Sequence, residues 1–170
     1  MTTVRAGYAA LLGRPNVGKS TLLNRLIGQK LSITAPKPQT TRHVILGIQT
    51  LPDAQIVYVD TPGLHRRSQR ALNRHLNRAA ASVLGYVDVV VWLVEALRWT
   101  EEDEDVLQRL MDFAGPVVLA VNKVDRIPDK SRLLPFLREL AAKRSFSEVV
   151  PLAAIDGDNV VALEQVITRL

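Results

Sequence analysis

The chain has no cysteine, no internal repeat and no low-complexity linker. No apolar run comes near the roughly 18 residues that a bilayer span needs. The missing thiols rule out a disulfide framework, and the missing span sets transmembrane anchoring aside. Met1 to Tyr8 shows no basic stretch followed by an apolar one, so no secretory leader is expected. A cytoplasmic setting fits these readings. An acidic balance is also lacking. Lys and Arg total 22 against 17 Asp and Glu, a net charge of +5 that would draw polyanions such as nucleic acid or phosphates. A solvated surface with surplus arginine explains the same count equally well.

With 170 residues, 47% of them hydrophobic, the chain suits one domain with a single buried core. Short apolar runs at 6–12, 44–50, 54–59, 87–94, 116–121 and 148–152 read as strands. Val89 to Val94 is continuously apolar, as in a strand covered on both faces. Helical periodicity at 19–26, 69–84, 101–113, 130–143 and 159–170 alternates with the strands. The spacing predicts a doubly wound α/β fold, a six-stranded and mostly parallel sheet with helices on both faces. Only 44–50 and 54–59 lack an intervening helix, so Leu51, Pro52 and Asp53 should close an antiparallel hairpin. Thr100 and Asp103 form a variant capping box, which makes the acid run 101–104 a helix start rather than a metal cluster.

Three strand-end loops carry the chemistry. Gly13-Arg14-Pro15-Asn16-Val17-Gly18-Lys19-Ser20 fits GxxxxGK[ST] between an apolar strand and a helix, the P-loop NTPase arrangement. Backbone N–H groups along Asn16, Val17 and Gly18 can converge on phosphate oxygens at the positive end of the helix. Lys19 is expected to bridge the β- and γ-phosphates, Ser20 to ligate Mg²⁺, and Thr21 to reach the α-phosphate. Asp60-Thr61-Pro62-Gly63 follows the next strand. Its carboxylate is placed to hold Mg²⁺, directly or through water, and Gly63 to bring its amide to the γ-phosphate. The polar stretch 29–43 between these motifs suits a switch loop that orders around γ-phosphate and metal. Thr41 is the chosen switch threonine, with Thr40 its neighbouring competitor.

Asn122-Lys123-Val124-Asp125 follows another apolar strand. The Asp125 carboxylate can accept from guanine N1–H and the exocyclic amine together, a donor pair that adenine lacks. Asn122 is expected to brace the loops and the Lys123 stem to cover the ring. In the loop 153–157, Ala154 N–H is the expected donor to guanine O6. Ala153 stands where such loops usually carry serine, which predicts weaker steadying of that loop. The site so read binds GTP or GDP with Mg²⁺.

In their finer wording, GRPNVGKSTLLN, APKPQTTRH, DTPGLH, VEALRWTEEDE and NKVD together resemble Era, a ribosome-associated family in the TrmE-Era group of GTPases with a Ras-like G domain. The sister families Der and MnmE share the P-loop wording but not the APKPQTTRH and RWT stretches as a set. The resemblance implies a GTP-hydrolysing switch in small ribosomal subunit assembly and rRNA maturation. It also implies peripheral association with the inner membrane and a C-terminal KH domain for the rRNA, for which this chain has no matching residues. Leu64 and His65 follow Gly63 where Ras-like enzymes place a water-orienting glutamine, so slow turnover is expected, with Lys19, Thr41 and Gly63 acting at the γ-phosphate. By the same resemblance Asn16 would coordinate a K⁺ ion bridging the phosphates. Arg70, Arg74 and Arg78 recur every four residues as a basic stripe, a solvated helix face or an RNA contact.

Overall fold

A computed structural model describes residues 4–28, 45–60 and 83–170. Six strands form one sheet: β1 (Arg5–Leu12), β2 (Ile45–Thr50), β3 (Ala54–Asp60), β4 (Val89–Glu95), β5 (Val117–Asn122) and β6 (Glu148–Pro151). Their order is β2-β3-β1-β4-β5-β6, and only β2 runs antiparallel to its neighbour. The hairpin at Leu51, Pro52 and Asp53 closes with Leu51 N–H donating to Ala54 O at 2.7 Å.

Alternate residues of the central strands enter two separate cores, which explains their unbroken apolarity. Val89, Val91 and Leu93 of β4 join Ala9 and Leu11 of β1 beneath α1 (Lys19–Ile27) and the C-terminal helix. Val90, Trp92 and Val94 join Ala10 and Leu12 beneath α2 (Glu101–Leu110) and α3 (Leu133–Lys143). The C-terminal helix, α4 (Val160–Arg169), seals the first core with Leu163 and Ile167. Helices thus cover both faces, as the alternating pattern requires.

The helix expected over 130–143 begins at Leu133, because a 3₁₀ turn over Lys130–Arg132 takes its place. There Asp129 accepts from Ser131 N–H and holds the tighter turn. The helix expected to reach residue 113 stops at Leu110 in a turn where Phe113 N–H bonds Leu110 O. Of the helix expected over 69–84, only Val83 and Leu84 lie among the described residues.

At α2, Thr100 Oγ1 accepts from Asp103 N–H while Asp103 Oδ2 accepts from Thr100 N–H, so the capping box is complete. Asp103 is fully buried, and losing the threonine hydroxyl would leave its backbone N–H without an acceptor. Thr100→Ala is expected to lower unfolding free energy by about 1–2 kcal/mol. In a urea titration this should move the midpoint and leave the slope unchanged.

Connections leave β1 toward β3 on one side and β4 toward β5 on the other, so the winding reverses between β1 and β4. Open α/β sheets bind ligands in the crevice at such a reversal, beyond the carboxyl ends of the strands. Gly13 to Ser20 begins at that end of β1.

Candidate nucleotide-binding site

The two helix starts near this crevice differ in kind. At α2 four acids and a threonine cap fill the positive end, whereas α1 opens on Gly18 with no side-chain cap and no acid in its first turn. Its unpaired N–H groups are left for an external anion. Ser20 and Thr21 are exposed in that first turn. Lys19 Nζ donates to the carbonyls of Gly13 and Arg14, curling the side chain back over the loop. Burial lowers the Lys19 pKa, and the nearby negative charge of Asp60 opposes that fall. Asp60 ends β3 in register with Leu11 of β1, so its carboxylate stands beside the cradle.

Gly18 shows why the loop needs a residue without Cβ. Its φ is +107°, and a Cβ there would lie 2.2 Å from Asn122 Nδ2. The amide so close to it is the brace of the site. Asn122, 3% exposed at the end of β5, donates through Nδ2 to Val17 O at 2.9 Å and accepts through Oδ1 from Ala154 N–H at 3.0 Å. One side chain therefore joins the phosphate loop to the loop after β6. Next to it Lys123, in the left-handed region at φ +68°, donates through Nζ to Asn16 O at 2.7 Å. Asn16 is itself left-handed at φ +63° and exposed. Asp125 follows, exposed, on a 3₁₀ turn anchored by the buried Val124.

The structure thus brings Asn16, Val17, Gly18, Lys19, Ser20, Thr21, Asp60, Asn122, Lys123, Asp125, Ala153 and Ala154 to one end of the sheet. Thr40, Thr41, Gly63, Leu64, His65 and the stripe of Arg70, Arg74 and Arg78 lie outside the described residues. Ala154 N–H, read from sequence as the donor to guanine O6, is given to Asn122 Oδ1 and would have to be shared to serve the base as well. The loop after β6 makes several bonds of its own. Ala153 O accepts from the N–H groups of Asp156, Gly157 and Asp158, Ala153 N–H donates to Asp158 O, and Arg25 of α1 donates to Ile155 O.

Sequence reasoning missed Arg14 and Glu95. Arg14 is 7% exposed and donates through its guanidinium to Glu95 Oε2 at 2.6 Å, with Asp103 Oδ2 3.3 Å from its Nε. Burial raises the Glu95 pKa, but the Arg14 bond and the Lys123 charge outweigh it and hold the carboxyl below its ordinary value. Burial pushes Asp103 up, against the bonds from Thr100 and the charge of Arg14. Arg14 is thereby neutralised and turned from the phosphate cradle. The available signal was Glu95 itself, a lone acid ending an otherwise apolar strand, which calls for a cation.

The pattern of a protein family described as "50S ribosome-binding GTPase" matches residues 8–123. The chain belongs to this GTPase family. Over 165 residues it is 54% identical to GTPase Era of Azotobacter vinelandii, a match covering 97% of this chain and 55% of that protein. The chain spans about half the length of the curated relatives it matches. Two solved structures are 36% identical and cover 98% of this chain and 57% of theirs. One is an Aquifex aeolicus Era variant bound to GDP·AlF4⁻, with a TM-score of 0.75. The other is Era in complex with MgGDPNP and nucleotides 1506–1542 of 16S ribosomal RNA, with a TM-score of 0.78. The P-loop GTPase fold and the resemblance to Era read from the motifs agree with these matches.

Proposed function

We propose that this chain is the G domain of an Era-type GTPase: a single domain that binds GTP with Mg²⁺, hydrolyses it slowly and acts as a switch. The observation that carries the reading is the Asn122 brace. It holds the phosphate loop against the loop after β6 while Lys123 crosses to Asn16, so a triphosphate cradle and a base pocket share one rigid frame. Oxygen donors suit Mg²⁺, and the chain offers Ser20 at the start of α1 and Asp60 at the end of β3, with Thr41 as the third in our reading. The ion would supply charge neutralisation between the phosphates. Lys19, already half-withdrawn from water, would bring its ammonium to the β- and γ-oxygens, and Gly63 its amide to the γ-phosphate. Asp125 would read the guanine edge, the Lys123 stem would cover its face, and Ala153 and Ala154 would close the pocket.

Titrating the purified chain with GTP, GDP and ATP, with and without Mg²⁺, tests this. GTP and GDP should bind and ATP should not. Single-turnover phosphate release should be slow but measurable, and none at all would leave a GTP-gated binding module. Equal affinity for ATP would end the guanine reading.

For K⁺, the support is that Asn16 is exposed, left-handed and pinned through its carbonyl, while its side-chain amide has no partner among the described residues. A neutral amide oxygen beside the cradle, on backbone held in place, suits a monovalent cation that offsets transition-state charge. GTP hydrolysis should run about tenfold faster in KCl than in NaCl. Asn16→Ala should remove the difference, and equal wild-type rates in both salts would dismiss the site.

The Era relative solved with 16S ribosomal RNA supports a role in small-subunit assembly and rRNA maturation. In this family the RNA contact belongs chiefly to a KH domain. A cytoplasmic place follows from that role. Peripheral inner-membrane association rests on the resemblance alone, and no described helix is long and apolar enough to cross a membrane.

A further inference from the structure

We infer that Glu95 is a positioning residue for the nucleotide site, fixing the phosphate loop and the base-covering lysine through one carboxylate. This rests on the guanine-nucleotide reading above but assigns a part to residues outside its motifs. Glu95 ends β4 in register with Asn122 of β5, so two neighbouring strand ends face the same loop. Asn122 takes the Val17 end of that loop and Glu95 the Arg14 end. The Arg14–Glu95 bond adds a side-chain tie beyond the paired ends of β1 and β4, at the crevice where the winding reverses.

Glu95 Oε2 also lies 3.4 Å from Lys123 Nζ, whose remaining strong contact is Asn16 O. The Lys123 side chain, 18% exposed, is therefore held at its tip by an anion and a carbonyl, which restricts where its methylene stem can lie. Without the carboxylate the ammonium keeps a single carbonyl partner and regains rotamer freedom. Arg14 would keep only Asp103, a group that burial already drives toward its neutral form. Among variants of one binding site, changes in affinity appear chiefly in dissociation rates.

The test uses Glu95→Gln, which keeps shape and removes charge. Affinity for fluorescent GDP should fall about tenfold, nearly all of it in faster release. The single-turnover rate of phosphate release at saturating GTP should stay within about twofold of wild type, because no reacting group is touched. Arg98→Ala is the control. Arg98 is 63% exposed, 3.8 Å from Glu95, and touches neither loop, so its loss should change nothing. A double-mutant cycle with Lys123→Met separates positioning from general loosening. The two losses should be partly sub-additive, since Glu95 acts through Lys123 as well as Arg14, and fully additive losses would overturn the inference that one carboxylate serves both. Unchanged GDP release in Glu95→Gln would overturn it as well. If that variant melts below assay temperature, Arg14→Lys probes the same carboxylate by removing the planar fork, with the same expected loss and the same refuting result. A wild type that binds no guanine nucleotide would instead refute the functional reading itself.

Discussion

Asp125→Asn is expected to lose GTP affinity by about 10⁴-fold and to bind XTP instead. A carboxylate offers two acceptors to guanine N1–H and the exocyclic amine. The asparagine amide turns one of them into a donor, which faces the guanine amine unfavourably but suits the carbonyl that xanthine carries there. The guanine edge then meets a donor where it needs an acceptor, and a mismatch of that kind is what makes polar readout discriminating. Asp125 is exposed on its 3₁₀ turn, so the substitution should not disturb the fold. Competition of GTP, XTP and ATP against a fluorescent guanine nucleotide measures the change. If GTP still outcompetes XTP in the variant, Asp125 does not read the base.

What could be read in the chain and what could not divide along sequence distance. The Gly13–Ser20 loop, the Asn122–Asp125 turn and the Thr100–Asp103 cap are each complete within a few residues, so their chemistry is visible locally. The apolar run of β4 announced a doubly covered strand because both of its faces meet helices. The partners of those local pieces were not visible. Asn122 meets Val17 across 105 positions, Arg14 meets Glu95 across 81, and Arg25 meets Ile155 across 130. No local pattern encodes such pairs, since the sheet order that joins them is a property of the whole fold. Around Ala153 the missing hydroxyl was evident, while the bond from Arg25 to Ile155 O depends on that same long-range placement. Helix ends shifted for a smaller reason. Asp129 and Ser131 offered the backbone a side-chain bond that competes with the first helical turn, which apolar periodicity does not register.

The brace should matter to fold and ligand alike. In Asn122→Ala both Val17 O and Ala154 N–H lose their partner, and both residues are almost wholly buried. Each orphaned group costs about 1–3 kcal/mol, so the nucleotide-free chain should lose about 2–6 kcal/mol of stability. For a domain of this size that lowers the melting temperature on the order of 10 °C. The loops then drift apart, and the phosphate cradle and base pocket no longer present one surface to one ligand. The extra stabilisation that saturating GTP and Mg²⁺ give the wild type should therefore shrink sharply in the variant. Melting curves with and without nucleotide separate the two effects. A residue that only touched the base would leave the nucleotide-free curve in place and change the liganded one alone. Should the nucleotide-free variant melt within about a degree of wild type, Asn122 is a ligand contact and the two loops are held together by something else.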